Sequence, residues 1–224
     1  MATPFSIHER LGITYEQALV PVPFAGTDRV NDEVSGAALP VQRAPALALD
    51  DADTEAVDLV CVRLGPGDVL ELAPSDTPVV PFAPIRAEDE GDVITLTNGT
   101  RGLRVPATRD VVPPFPGPVL GMRLEGGTWF GGSFLQGVPC CGRVETAIES
   151  LGPCCVQWRT VYCWAGHNRY VFRARWAAHS DTLLIQETTS VELACRGHFL
   201  EDALAVPSDD FVAQALPLIP NHHY

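Results

Sequence analysis

The sequence predicts an all-β protein: a small β unit, then a larger antiparallel β-sandwich that ends in a short helix. Three observations carry this reading. Residues 169–176 alternate, with Tyr170, Phe172, Ala174 and Trp176 set against Arg169, Val171, Arg173 and Arg175, the period-two pattern of a strand with one face on a core. Short β-branched or apolar runs recur along the chain and are closed by Gly, Pro, Asn and Asp, as in sandwiches and barrels and unlike βαβ units. The 224 residues are 46% hydrophobic and 19% charged, enough to bury a core without a metal or a disulfide.

Taken in order, residues 19–24, 39–42, 57–64 and 69–72 read as strands, separated by an acidic turn at 50–53 and by Gly65-Pro66-Gly67. Pro74, Pro78, Pro81 and Pro84 cannot donate ladder hydrogen bonds. They place a boundary within 73–87 and divide the chain into 1–76 and 77–224. Beyond it, residues 92–97 and 102–105 form a hairpin around Asn98-Gly99, a pair suited to a type I′ turn. Residues 119–124 and 127–134 repeat the idea around Gly126-Gly127, and 144–148 adds a short strand before Gly152-Pro153.

Residues 155–164 put Val156, Trp158, Thr160, Tyr162 and Trp164 on one face, and Ala165-Gly166-His167-Asn168 connects them to the next strand. With 169–176, a turn at 177–181 and a further run at 183–188, three consecutive antiparallel strands result. Ser208 then caps a helix over 208–216, with Asp209 and Asp210 in its first turn and Pro217 and Pro220 as its stop.

Charge narrows the function classes. Fifteen basic residues against 28 acidic ones leave −13 and a pI near 4.7, which repels phosphate backbones and anionic membrane surfaces, so neither nucleic acid nor a membrane is expected as a partner. Every basic residue is Arg; without Lys there is no Schiff base, no lysine general base and no P-loop lysine. The N-terminus lacks a basic segment followed by an apolar one, and no apolar run approaches the roughly 18 residues of a membrane span. A cytoplasmic location is expected. No G-x-S-x-G, H-E-x-x-H, C-x-x-C, P-loop or Rossmann fingerprint occurs.

The remaining candidates are constellations. Cys140-Cys141 and Cys154-Cys155 are two thiol pairs, but adjacent strand residues point to opposite faces, whereas structural zinc sites space paired ligands by two to four residues. Neither a metal nor a cofactor is expected. His167, His179 and Glu187 flank the best hairpin, and a His with a carboxylate supplies acid and base for a sugar or uronate substrate. Trp129, Trp158, Trp164 and Trp176 suit either sugar stacking or a core. Arg169, Arg173 and Arg175 form a basic row matched to the carboxylates of an acidic polysaccharide, or to the protein's own carboxylates across strands. The expected substrate-binding set is Trp129, His167, Arg173, Arg175 and Glu187. A concave face aligning Trp129, Arg173 and His167 would favour sugar binding, and their dispersal a structural role.

The run 92–99 (DVITLTNG), then Pro118-Val119-Leu120-Gly121 with Trp129, then Glu149-Ser150-Leu151-Gly152-Pro153 leading into 156–162, then 169–176 and 183–187, resembles the β-sandwich region of large bacterial carbohydrate-active proteins. The closest similarity is to the exo-rhamnogalacturonan lyase and YetA-like group. The resemblance implies a small barrel over 19–24, 29–42 and 57–72, a central sandwich after residue 87, and an α/α toroid after Tyr224. On that basis the chain is the front portion of a polysaccharide lyase or hydrolase, truncated or split from its catalytic domain, and no catalytic residue carries over. Two other readings stand beside it: a mutarotase-like or lyase-like enzyme using His and Glu, and an interaction module without a small ligand.

Overall fold

The computed structural model describes residues 4–48, 50, 55–79, 85–135, 141–166, 168–178, 180 and 183–190. The expected helix over 208–216 lies outside them, as do His167, His179 and Cys140. Among the described residues the fold is all-β and antiparallel throughout.

Six strands make the first sheet: β1 (Phe5–His8), β2 (Tyr15–Val22), β3 (Arg29–Asp32), β4 (Ala38–Pro45), β5 (Ala56–Leu64) and β6 (Val69–Pro74), ordered β1-β6-β3-β4-β5-β2. Its two edge strands are consecutive in sequence and joined by residues 9–14 alone. A flat sheet of six strands separates its edges by about 24 Å at the usual strand spacing, so the sheet curls on itself. Phe5 and Ile7 from one edge and Tyr15, Ala18 and Val20 from the other accordingly pack on one core of Val22, Val30, Val41, Val60, Val62, Leu64 and Leu72.

The rest of the chain builds β7 (Arg86–Asp89), β8 (Val93–Thr97), β9 (Gly102–Pro106), β10 (Arg109–Val111), β11 (Phe115–Pro116), β12 (Gly121–Arg123), β13 (Phe134–Leu135), β14 (Gly142–Leu151), β15 (Cys155–Trp164), β16 (Asn168–Ala177) and β17 (Leu183–Thr189). A four-stranded sheet β12-β9-β8-β7 and a five-stranded sheet β10-β14-β15-β16-β17 share one core, with β11 and β13 paired beside them. Leu96, Leu103 and Val105 come from the first of these sheets, and Val144, Val156, Trp158, Tyr162, Phe172, Ala174 and Trp176 from the second. The packing is sandwich-like, and the alternation in β15 and β16 places the residues it assigned to the core.

Two turns differ from the sequence expectation. Thr97 pairs with Gly102, so the β8–β9 connection is a four-residue loop and not a two-residue turn. The Asn98 side chain explains the extra length, because its Oδ1 accepts the Thr100 and Arg101 amides at 3.1 and 2.8 Å and folds the loop back locally. The hairpin expected around Gly126-Gly127 is reduced to a single bridge between Met122 and Phe130. The flanking segments find other partners, β12 on β9 and β13 on β11.

Candidate functional site

Sequence reasoning pointed to five side chains, and the structure distributes them. Arg173 and Arg175 lie in β16 on the face opposite the Tyr170-Phe172-Ala174-Trp176 core row. Glu187 pairs with Phe172 across the strands and so projects on the other face of that sheet, where its carboxylate accepts the Tyr170 hydroxyl at 2.6 Å. Trp129 stands over a different sheet, against Gly102 of β9 and Gly121 of β12. His167 lies outside the described residues.

The two arginines meet the first sheet. Arg175 is 2% exposed, and its guanidinium donates to both Asp50 carboxylate oxygens at 3.1 and 2.9 Å, to the Pro45 carbonyl at 2.9 Å and, through Nε, to Gln157 Oε1 at 2.8 Å. Arg173 donates to Glu149 Oε2 at 2.9 and 3.1 Å and to the Ala46 carbonyl at 3.2 Å. Gln157 Nε2 bridges Pro45 O and Glu149 Oε2, each at 3.0 Å. Of the two recipients weighed for the arginine row, the protein's own carboxylates are met in the structure.

Sequence reasoning missed Gln42. Its amide enters the β14–β15 turn: Oε1 accepts the Cys154 and Cys155 amides, both at 2.9 Å, while Nε2 donates to the Cys155 carbonyl at 2.9 Å and Ser150 Oγ at 2.8 Å. Gly152 makes room, since a Cβ there would stand 2.7 Å from the Gln42 amide carbon. In the sequence Gln42 is one polar residue on an apolar strand, which under period two signals only a solvent-facing position; at 7% exposure it is not one.

The cysteines follow from the same joint. Cys154 and Cys155 are fully buried and Cys61 half-buried, all as free thiols. Burial pushes Cys61 up to about 11 and Cys154 and Cys155 up to about 12, so they stay protonated and unreactive. Among the described residues no group of three or more His, Cys, Asp or Glu is placed to hold a metal ion.

The outer face of the four-stranded sheet is different. Register places Glu88, Thr95, Arg104 and Gly121 in one row across it and Arg86, Thr97, Gly102 and Arg123 in the next. Trp129 covers the two glycines, and a Cβ on Gly102 would come within 2.7 Å of its ring. The Arg104 guanidinium carbon sits 4.3 Å from the ring centroid and that of Arg123 5.2 Å, inside cation–π range. Arg123 is anchored by Nη2 bonds to Thr97 Oγ1 at 3.0 Å and to the Gly99 carbonyl at 3.3 Å. Arg86, Arg104 and Arg123 share this face with the Glu88 carboxylate, and Glu90 stands beside Arg104.

A comparison with protein-family models finds no match to this chain, and a comparison with curated protein sequences finds none either.

Proposed function

We propose that this chain is the non-catalytic β portion of a polysaccharide lyase-like or glycoside hydrolase-like protein, serving domain packing and the binding of an acidic glycan. On this reading residues 1–76 are a barrel-like unit and the remainder a β-sandwich carried against it. The observation that carries its non-catalytic part is the arrangement of the ionisable groups. Glu187 is engaged by Tyr170, Arg173 by Glu149 and Arg175 by Asp50, on opposite faces of one sheet. Acid–base work on one sugar needs its groups within reach of the same atoms, and these are held apart.

Calorimetric titration of the purified chain with neutral and uronate-containing oligosaccharides, with ultraviolet absorbance followed in parallel, tests the proposal. Saturable uronate binding with no new absorbance is expected. Unsaturated product formed by the chain alone would overturn the non-catalytic reading in favour of a lyase-like enzyme. A folded chain that binds no sugar would overturn the glycan role and leave an interaction module.

A further inference from the structure

Arg104 is the cation stacked on Trp129 that makes no side-chain hydrogen bond among the described residues. Its guanidinium is stacked on Trp129, yet its Nε is buried without a hydrogen-bond partner. The nearest carboxylate oxygen, Glu90 Oε2, stands at 4.0 Å, beyond hydrogen-bond range, and 37% of the side chain remains exposed. Arg123, on the same ring, also has a buried Nε without a partner, but its Nη2 is bonded to Thr97 and Gly99, a tie that Arg104 lacks. A planar guanidinium held by stacking, with its Nε edge buried and part of the side chain exposed, has its two terminal Nη groups left for bidentate binding of a carboxylate.

The surroundings indicate what carries that carboxylate. Glu88 shares the Arg104 row across the sheet, and Glu90 flanks it. Two acidic side chains beside the fork repel a dense polyanion such as a phosphate chain, but they accept hydroxyl hydrogens. Thr95 lies between Glu88 and Arg104 in the same row, its hydroxyl buried and without a partner. One cationic fork ringed by acceptors matches a ligand with a single carboxylate among hydroxyls.

We infer that the Trp129–Arg104–Arg123 platform is a binding site for a uronate residue of a polysaccharide, with Arg104 holding the carboxylate and Glu88 and Glu90 receiving ring hydroxyls. This rests on the glycan-binding reading above and adds the place and the groups. It assigns the contact to the four-stranded sheet, away from the Arg173 and Arg175 row.

The test is calorimetric titration of the full chain with trigalacturonate and with galactotriose as its neutral counterpart. Trigalacturonate is expected to bind, and galactotriose about tenfold more weakly or not at all, as loss of a bidentate charged contact implies. Arg104→Ala should weaken trigalacturonate binding about tenfold and Arg104→Lys about fivefold, while Arg143→Ala, the same charge removed from the other sheet, stays within about twofold. Gly102→Ala puts a methyl group 2.7 Å from the Trp129 ring and should also weaken binding, with the circular dichroism spectrum showing whether the sheet is intact. Trigalacturonate binding within twofold of the parent in Arg104→Ala would overturn this site and leave the glycan-binding reading standing. Equal affinity for the two sugars would overturn the carboxylate contact. No binding of either sugar by the parent chain would overturn the glycan-binding reading and this site with it.

Discussion

Replacing Arg175 with Ala removes one guanidinium from a place where it serves four acceptor atoms. Asp50 Oδ1 and Oδ2, the Pro45 carbonyl and Gln157 Oε1 lose donors at 2.8–3.1 Å, with the arginine and aspartate side chains 2% and 8% exposed. Removing one partner of a buried ion pair costs about 3–5 kcal/mol because the other charge stays desolvated. An orphaned neutral acceptor adds about 1 kcal/mol, with incomplete additivity. The expected loss is about 4–5 kcal/mol, a large share of the roughly 5–15 kcal/mol that holds a typical domain. Urea unfolding followed by tryptophan fluorescence reads it, since Trp158, Trp164 and Trp176 are buried in the neighbouring core. With a slope of about 2 kcal/mol per molar, the midpoint falls by about 2 M. In a double-mutant cycle Arg175→Ala and Asp50→Ala should couple by more than about 1 kcal/mol. A loss below about 1 kcal/mol for Arg175→Ala, or strict additivity with Asp50→Ala, would refute the view that this pair holds the first sheet to β16.

Gly152→Ala brings a methyl group to 2.7 Å from the Gln42 amide, so it should cost about 1–3 kcal/mol in the same unfolding assay, and Gln42→Ala in that background should cost less than in the parent. Thiol titration near pH 8 should label exposed Cys141 rapidly and leave Cys154 and Cys155 unlabelled until denaturant is added, their thiols being buried and pushed up to about 12; mass spectrometry of labelled peptides checks it. Acid should also weaken the first sheet. Amide bonds from Gly67, Leu11, Gly12 and Ile13 hold the Glu9 carboxyl below its ordinary 4.5. Burial pushes Asp32 up, but bonds from Ser35, Val34 and Glu71 outweigh it and leave that carboxyl below its ordinary 3.8. Carboxyls depressed on folding give stability that is present above their ordinary values and lost as pH falls through the lower folded ones. The urea midpoint should therefore drop as pH is lowered beneath about 4, and less in Asp32→Asn.

The long central strands were legible because one face carries the apolar core row and the other carries polar side chains such as Gln157, Arg159, Arg173 and Arg175. In β15 and β16 the apolar set falls on alternate positions, and a shift of one residue would turn Trp158, Tyr162 and Trp176 outward, so pattern alone fixes the element and its inner face. Among the strands that the sequence analysis did not pick out, β1, β7 and β10 are three or four residues long. They exist because a neighbour supplies the ladder, β6 for β1, β8 for β7 and β14 for β10. Such strands carry too few residues for a period to show. The Asn98-Gly99 loop illustrates a second limit: the dipeptide names a reversal, but the Asn98 side chain, whose Nδ2 also donates to the Ala178 carbonyl, sets its length.

The candidate site was less legible, because period two says which face a residue takes and not what lies against that face. Arg173 and Arg175 sit on the polar face of β16 as the alternation requires, and that face is covered by residues 45, 46 and 50 of the first sheet and its loop. A row of guanidinium groups beneath a second sheet needs acceptors already in place, and backbone carbonyls from Pro45 and Ala46 with the Asp50 and Glu149 carboxylates supply them. Arg104 and Arg123 gave no comparable signal, since each is a lone cation in a short strand. Only the pairing of β9 with β12 sets them diagonally about Gly102 and Gly121, and only those glycines let Trp129 lie close against the sheet. The same residue type therefore does opposite work on the two sheets. Where it meets carboxylates and carbonyls across a buried joint it is held within the fold, and where Arg104 is stacked on an indole, part of its side chain stays exposed.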